Sequence, residues 1–403
     1  MQRPPIYTNP IGLSSLFPIC GLPIRLDSYK GCVFNCAYCF ARARERSIHD
    51  TKVKPADPNY LNKLFKRSID ENKESFVGQF IQRRVPIHFG GMSDPFQPAE
   101  TKYKTSLAYL RTFARYSYPV VISTRGVMVA EEPYLILLKQ MKSVIIQFSL
   151  SSIDDQRSSV VEEERVSPSN ILRAMEKLAK HGVSVTSRWQ PYIPTLGESI
   201  PDFISTVSSA GCSHLSFEHL KILIGRRQRV VQSVHDYNGI DILDYYKKEG
   251  AYYLGREFIL PAETRLKRVL EVRDITHKAG MTLGVADNDL QHYSDTDCCC
   301  SGADKFEGFD NWFKYQASYA IRKSRGKEIS LEAIKDEWAP TGSIDRYLNS
   351  MSRLSTRGES EGTLKQHLQY RWNNPGSEGC PSFYYGIEPA GRYSSDGNII
   401  FSQ

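Results

Sequence analysis

The chain has 403 residues, of which 40% are hydrophobic, and this is enough to bury one large core and a smaller companion domain. It contains no run of about 18 apolar residues, and residues 1–7 lack the charged-then-apolar pattern of a signal peptide, so we expect no membrane partner. The net charge of +7 is compatible with a polyanionic partner, although many ordinary enzymes are equally basic.

The first motif is a group of three cysteines within eight residues, Cys32, Cys36 and Cys39. Thiolates in this C-x3-C-x2-C arrangement can bind three irons of a cubane iron–sulfur cluster and leave the fourth iron without a protein ligand. Two other interpretations stay open. His49 would complete a Cys3His zinc site, although it lies farther from Cys39 than zinc fingers usually allow, and free cysteines also pack as small hydrophobic residues.

Short apolar runs then alternate with helical patterns through the middle of the chain. Strands are predicted at 23–26, 86–89, 119–123, 144–149, 183–187 and 214–217, and helices at 102–116, 133–142 and 168–181. This alternation predicts an α/β fold with a parallel sheet and crossover helices, in which six units form an open (β/α)6 partial barrel. A helical pattern at 262–279 and an apolar run at 281–286 add a further helix and strand.

The loops that follow the predicted strands are the expected ligand-binding positions, because ligands of such barrels bind at the C-terminal ends of the strands. After the second strand the chain has the pair Gly90 and Gly91, and paired glycines let the backbone approach a ligand closely. An ordinary turn into a helix that begins near Glu100 explains the pair equally well.

The cysteine spacing, with the aromatic Tyr38 before the last cysteine, resembles that of the radical S-adenosylmethionine (SAM) superfamily. The resemblance implies a 4Fe-4S cluster bound by Cys32, Cys36 and Cys39, with SAM chelated to the open iron by its amino and carboxylate groups. One electron from the cluster would then split a carbon–sulfur bond of SAM and release a 5′-deoxyadenosyl radical. An electron donor such as flavodoxin or ferredoxin is implied as a partner.

The same resemblance implies a set of SAM contacts. Tyr38 and Phe40 would flank the adenine, and Ser149 or Ser151 would contact the ribose. Arg188, at the end of the fifth strand, would pair with the SAM carboxylate, since an arginine fork suits a carboxylate, although a structural salt bridge is the alternative. The backbone after the second strand would bind the methionine amino group, within the stretch Gly90, Gly91, Met92, Ser93 and Asp94.

A longer stretch, Ser-Asp-Pro-Phe-Gln-Pro-Ala-Glu at 93–100, resembles the spore photoproduct lyase-like branch of the superfamily. Segments 123–125, 149–151, 164–168 and 191–194 agree with that branch, so the resemblance covers about half the chain. Those lyases use a cysteine inside the barrel as a hydrogen donor, and this chain has no cysteine between Cys39 and Cys212. Cys212 is therefore a candidate donor, although a buried packing residue is the favoured interpretation.

The C-terminal part carries a second cysteine group. It consists of the consecutive Cys298, Cys299 and Cys300, together with Cys380. A second iron–sulfur cluster, a zinc ion, a redox dithiol and buried thiols are all compatible with it. Clustered cysteines also favour a reducing, cytoplasmic location over a disulfide-forming one. The region is rich in aromatic residues, with helices predicted at 309–324 and 361–372, and aromatics interleaved with basic residues suit base stacking as well as a helical core.

These observations divide the chain into an N-terminal strap (1–19), a radical SAM partial barrel (20–292) and a mainly helical C-terminal substrate or auxiliary-site domain (293–403). We expect radical-based repair or modification of a nucleic acid base, in DNA or RNA. This expectation rests on the lyase-like segments, the basic balance and a basic run of Lys221, Arg226, Arg227 and Arg229. Modification of a peptide or small metabolite is the alternative, and a non-catalytic, metal-bearing nucleic-acid binder is the alternative from another class.

Overall fold

The computed structural model of the protein describes residues 6–14, 20–41, 53–162, 166–223, 229–297, 299–309, 321, 328–333, 364–376 and 380–402. Its main sheet is formed by β1 (Ile11–Leu13), β2 (Ile24–Leu26), β5 (Ile87–Phe89), β6 (Val120–Thr124), β7 (Val144–Ser149), β8 (Ser184–Tyr192), β9 (His214–His219) and β13 (Thr282–Val285). Their spatial order is β1-β2-β5-β6-β7-β8-β9-β13. The strands β3 (Tyr29–Lys30) and β4 (Lys54–Pro55) form a separate antiparallel pair.

Every neighbouring pair in the main sheet is parallel except β1 and β2, which are antiparallel. The six predicted strands and the apolar run at 281–286 are therefore confirmed as the parallel strands of an α/β partial barrel. Two details differ from the sequence prediction. The strand β8 continues to Tyr192, five residues beyond the predicted end, and residues 11–13 of the N-terminal strap add the antiparallel edge strand β1.

Helices cover the outside of this sheet, as crossover connections require. The described helices of the barrel are Tyr60–Phe65, Phe76–Gln82, Ala99–Tyr103, Thr105–Arg115, Tyr134–Gln140, Asp155–Val161, Pro168–Lys180, Ile200–Ser209 and Ala262–Lys278. The pattern at 102–116 predicted one helix, but the structure has two, because Lys104 adopts a left-handed conformation (φ 54°) between them. The buried Glu100 then accepts hydrogen bonds from the backbone N–H groups of Ser106 and Leu107, at the start of the second helix.

The helix Pro168–Lys180 shows how local sequence sets these boundaries. The Ser167 side chain caps its N-terminus, Pro168 occupies the first turn, and two lysines lie in the last turn. The predicted apolar face of Ile171, Met175 and Leu178 is buried against the sheet. The chain leaves the helix through Gly182 at φ 77°, a conformation that favours glycine.

Residues that follow β13 close the N-terminal end of the barrel. Leu283 both accepts a backbone hydrogen bond from Asp295 and donates one to the Asp295 carboxylate, at 2.8 and 2.7 Å. The Cys300 carbonyl accepts from His214 Nε2 at 2.9 Å and lies where a side chain on Gly284 would be, 2.1 Å from an added Cβ. We therefore propose that the barrel domain extends to about residue 303 rather than ending at 292.

The described part of the C-terminal extension contains the helices Leu364–Trp372 and Pro381–Tyr385 and the antiparallel hairpin of β14 (Glu388–Tyr393) and β15 (Ile399–Ser402). The predicted helix at 361–372 is confirmed over 364–372, whereas most of the prediction at 309–324 lies outside the described residues. In the part of the chain that the structure describes, no helix has the length and apolar character needed to span a membrane.

Candidate functional site

The loop that carries Cys32, Cys36 and Cys39 leaves the C-terminal end of β2 and lies beside the ends of β5, β6 and β7. Residues 31–39, which we call the cluster loop, are tied to the loop after β5 by Gln97. The Gln97 side chain accepts from the backbone N–H of Val33 at 3.1 Å and donates to the Gly31 carbonyl at 3.0 Å. Cys36 also pairs with Glu162 in an isolated antiparallel bridge. The cluster loop is thus fixed by residues that follow two other strands, β5 and β7.

The three thiols form a mutually interacting set. Burial raises the pKa of Cys32 to about 12, and the charge of Asp94 adds to this effect. Burial also raises the pKa of Cys36, while Arg125 opposes the rise. Thiolates at Cys32 and Cys39 would each raise the pKa of Cys36 further, so the three sulfurs lie within electrostatic reach of one another. Metal binding would relieve this cost, since it replaces the thiol protons.

An iron–sulfur cluster and a single metal ion place different demands on the three thiols. Within the described residues, no three His, Cys, Asp or Glu side chains converge closely enough to hold one ion. A zinc site needs all of its ligands about 2.0–2.3 Å from one centre, whereas a cubane cluster takes each thiolate on a different iron. Three cysteines on one loop can each supply a thiolate to a different iron of such a cluster. His49 lies outside the described residues.

Beside the cluster loop, Glu162 is the centre of a buried polar network. Its side chain is fully buried and pairs with Arg125, whose Nη1 and Nη2 lie 2.6 and 2.5 Å from the two carboxylate oxygens. Tyr38, Ser151 and Ser158 donate their hydroxyl hydrogens to the same carboxylate. Arg125 in turn donates to the Ser149 carbonyl at 2.9 Å. The network thus links the cluster loop to the ends of β6 and β7.

This network assigns partners to several residues predicted to bind SAM. The hydroxyls of Tyr38 and Ser151 are directed to Glu162, which leaves the Tyr38 ring as the part that can face an adenine. Ser149 is half-buried at the end of β7, directly beside Arg188 in the sheet register. Phe40 follows Cys39 and is 42% exposed. The sequence pattern gave no reason to choose Glu162, since only the neighbouring segment 164–168 resembles the lyase-like branch.

The turn after β5 directs its N–H groups into the protein. Asp27 accepts from the backbone of Met92 and Ser93, at 2.7 and 3.2 Å. Asp94 accepts from Thr124 and from the Arg125 backbone, at 2.7 and 2.6 Å. The predicted residues Ser93 and Asp94 therefore hold the shape of the turn. No described residue donates a hydrogen bond to the carbonyls of Gly90, Gly91 or Met92, so these oxygens can accept from an ammonium group, which is the chemistry required of the SAM amino site.

We expect replacement of Gly90 by alanine to destabilise the protein more than the same change at Gly182. Both glycines have positive φ, at 93° and 77°, and left-handed backbone costs alanine about 1–2 kcal/mol. A Cβ on Gly90 would lie 2.4 Å from the Ser123 carbonyl oxygen, whereas one on Gly182 would meet no atom within 4 Å. Gly90→Ala should therefore cost about 1–3 kcal/mol more in urea unfolding of the metal-free protein. Equal losses would contradict the close packing of this turn.

Arg188 lies on the inner face of the barrel, among other polar groups that the sequence analysis did not select. Its Nε donates to Gln190, and it is the register neighbour of Ser149 on one side and Ser216 on the other. Two residues after Ser216, Glu218 pairs with Lys221 at the end of β9. Burial raises the pKa of Glu218, while the charges of Lys221 and Arg188 oppose the rise. Arg188 therefore lies between the Glu218 carboxylate and the end of β7, which carries Ser149.

Cys212 lies at the opposite end of the barrel from the cluster loop. It precedes β9, is buried in the hydrophobic core, and its thiol donates to the His214 carbonyl at 3.0 Å. Burial raises its pKa to about 12. This position agrees with the packing interpretation and does not bring the thiol to the end of the barrel where a hydrogen donor would act.

The described cysteines of the C-terminal group occupy two separate environments. Cys300 lies in the segment that closes the N-terminal end of the barrel, which we call the barrel floor. Its pKa is raised well above the ordinary value by hydrogen bonding to Cys299 and by burial. Cys20, from the segment before β2, interacts electrostatically with it. Cys380 caps the helix Pro381–Tyr385 and contacts Ser382. Cys298 lies outside the described residues, so a second metal site stays a prediction.

Comparisons with known proteins agree with this geometry. The Radical SAM superfamily model matches residues 26–210, which include the cluster loop, the turn after β5 and the Glu162 network. Uncharacterized proteins of Mycobacterium bovis and Mycobacterium tuberculosis are 23% identical over 198 residues, which are 48% of this chain and 57% of theirs. The chain thus spans somewhat more than half the length of these curated relatives.

Two kinds of solved structure are similar in part. A spore photoproduct lyase mutant with bound AdoMet and dinucleoside spore photoproduct is 13% identical, with a TM-score of 0.47 over 66% of this chain and 75% of that one. Streptococcus suis SuiB bound to S-adenosylmethionine is 13% identical, with a TM-score of 0.38 over 57% and 48%. The family match and the three thiols on the loop after β2 lead to one conclusion: residues 26–210 form a radical SAM domain.

Proposed function

We propose that the protein reductively cleaves SAM at a 4Fe-4S cluster held by Cys32, Cys36 and Cys39, and that it acts on a nucleic acid base in the manner of the spore photoproduct lyase-like branch. When bound, such a cluster would supply the electron that splits SAM into methionine and a 5′-deoxyadenosyl radical. The observation that carries the proposal is the set of three thiols on the cluster loop, which interact electrostatically with one another and lie in the segment that matches the radical SAM superfamily model.

The chain's own residues would position both cofactors. Gln97 and the Glu162–Arg125 pair hold the cluster loop in place. The carbonyls of Gly90, Gly91 and Met92 would accept from the SAM ammonium, and the Tyr38 ring would pack on the adenine. Ser149 would contact the ribose, and Arg188, its register neighbour, would bind the SAM carboxylate by a charge-assisted hydrogen bond.

Anaerobic reconstitution tests the cofactor part of the proposal. We expect about four irons per chain and, with dithionite and SAM, the formation of 5′-deoxyadenosine. A flavodoxin or ferredoxin should replace dithionite as the electron donor, and a reducing, cytoplasmic location would suit an oxygen-sensitive cluster. Zinc in place of iron, with no cleavage of SAM, would overturn the proposal and favour the non-catalytic metal-bearing binder.

The nucleic acid substrate rests on the lyase-like segments and on the net charge of +7. Two residues of the basic run already have partners within the protein, because Lys221 pairs with Glu218 and Arg229 donates to Asn35. Arg226 and Arg227 lie outside the described residues. A gel shift with single- and double-stranded DNA and RNA tests this part. We expect binding that weakens steeply between about 50 and 200 mM salt. If no nucleic acid binds while SAM is cleaved, the substrate is a peptide or small metabolite.

A further inference from the structure

The described residues between β9 and the helix Ala262–Lys278, 220–223 and 229–260, form two helices and a small sheet. We call residues 220–260 the insert. It contains the helices Arg229–Asn238 and Ile242–Lys248 and a three-stranded antiparallel sheet, in which β12 (Glu257–Ile259) lies between β10 (Ile222–Leu223) and β11 (Tyr252–Leu254). Because β9 ends at the same side of the barrel as β2 and β5, the insert lies at the end that carries the cluster loop.

The insert shares a hydrophobic core with the cluster loop. Its buried residues Val230, Val234, Ile242, Tyr246 and Phe258 form one cluster with Val161, Ile193 and Leu196 of the barrel, and Ala37 and Tyr38 pack against this cluster. A polar contact strengthens the attachment, because Asn238 of the insert donates to the Thr195 carbonyl of the barrel at 2.8 Å. The insert is therefore attached to both the barrel and the loop between Cys36 and Cys39.

One cation of the insert reaches the backbone next to a cluster cysteine. Arg229, at the start of the helix Arg229–Asn238, donates from Nη1 to the Asn35 side-chain oxygen at 2.9 Å and to the Asn35 carbonyl at 3.4 Å. Asn35 has φ 49°, a left-handed conformation that asparagine tolerates better than most residues, and its carbonyl belongs to the peptide bond that joins it to Cys36. Arg229 thus fixes the orientation of that peptide.

We propose that Arg229 is a positioning residue for the iron–sulfur cluster. Its guanidinium holds the Asn35–Cys36 peptide and places a permanent positive charge beside the cluster. This inference rests on the proposed function, since it requires a cluster on Cys36. A guanidinium stays charged at any working pH, and reduction adds one negative charge to the cluster. A nearby cation stabilises the reduced form more than the oxidised form and so raises the reduction potential.

A redox titration of three variants tests the role of the charge. Arg229→Gln removes the charge and keeps hydrogen-bonding capacity, Arg229→Lys keeps the charge, and Lys248→Gln removes an exposed cation elsewhere on the insert. The reduced fraction would be read by electron paramagnetic resonance at a fixed poised potential. We expect the ratio of reduced to oxidised cluster to fall about 5- to 30-fold in Arg229→Gln. Arg229→Lys should restore most of it, and Lys248→Gln should match the wild type.

The other outcomes are separable. If the wild type holds no iron, the proposed function fails; if it holds iron and Arg229→Gln has the same potential as Lys248→Gln, only the role of Arg229 fails. If Arg229→Gln binds little iron, thermal unfolding of the metal-free proteins shows whether Arg229 acts on the cluster loop or on the stability of the whole fold. The proposal requires metal-free Arg229→Gln to melt within a few degrees of metal-free Lys248→Gln, with iron binding rescued by Arg229→Lys. A metal-free variant that is itself strongly destabilised would overturn it.

Discussion

Replacing Cys32, Cys36 and Cys39 together by alanine is expected to lower the iron content after anaerobic reconstitution from about four per chain to none at this site. Formation of 5′-deoxyadenosine should stop as well, because SAM has no open iron to bind. The fold should survive, since all three side chains are only partly buried and the cluster loop keeps its contacts with Gln97. Iron analysis, the visible absorption spectrum and circular dichroism measure these outcomes.

The single variant Cys212→Ala serves as the control for iron content, because it removes a thiol at the other end of the barrel. It should retain the full iron content of the wild type. The triple variant also isolates the second cysteine group. Stoichiometric iron or zinc in the triple variant would establish a site at Cys298, Cys299, Cys300 and Cys380, whereas a folded, metal-free protein would show that they are thiols only. Full iron content at the first site despite the triple change would refute the ligand assignment.

The change Glu162→Gln is expected to destabilise the metal-free protein by about 3–5 kcal/mol, because it leaves the Arg125 guanidinium buried without a counter-charge. Glutamine is nearly isosteric, so the loss reports the charge rather than a cavity. Tyr38, Ser151 and Ser158 also lose a carboxylate acceptor. Urea unfolding measures the change, and iron binding should weaken, since the Glu162 carboxylate accepts a hydrogen bond from Tyr38 of the cluster loop.

The matched control is Glu176→Gln, which removes an exposed carboxylate 3.9 Å from Lys180 on the helix Pro168–Lys180. Exposed pairs of this kind contribute about 0.3–0.5 kcal/mol. A double variant, Arg125→Met with Glu162→Gln, should recover part of the stability because it also removes the buried cation. If Glu162→Gln were no less stable than Glu176→Gln, the Glu162 network would not be what holds the cluster loop.

Features that depend on local sequence patterns could be predicted, whereas features that depend on contacts between distant residues could not. The cysteine spacing and the strand–helix alternation are visible in windows of a few residues, and the superfamily and the parallel sheet follow from them. Glu162 could not be selected, because its partner Arg125 is 37 residues away and three glutamates stand in a row. Gln97 belonged to a recognised segment, but its contact with the cluster loop depends on how two loops meet in space.

The helix break at Lys104 has the same origin. The apolar pattern runs through 102–116 without a proline or glycine, so periodicity alone predicts one helix. The buried carboxylate of Glu100 competes by accepting from Ser106 and Leu107, and Tyr29 and Tyr134 donate to the same group. These tyrosines come from other parts of the chain. A tertiary hydrogen-bond network therefore overrides a local preference at this point.

The closure of the barrel floor by Cys300 has a consequence for the order in which the molecule is made. Chains emerge from the ribosome N-terminus first, and domains fold as units as they emerge. The strands β9 and β13 leave the ribosome before residue 300, yet His214 lacks its carbonyl acceptor and Gly284 its covering backbone until that residue follows. The nascent barrel therefore lacks these contacts at its N-terminal end until residues 293–303 have been synthesised. A gene truncated at codon 292 would encode this unfinished state permanently.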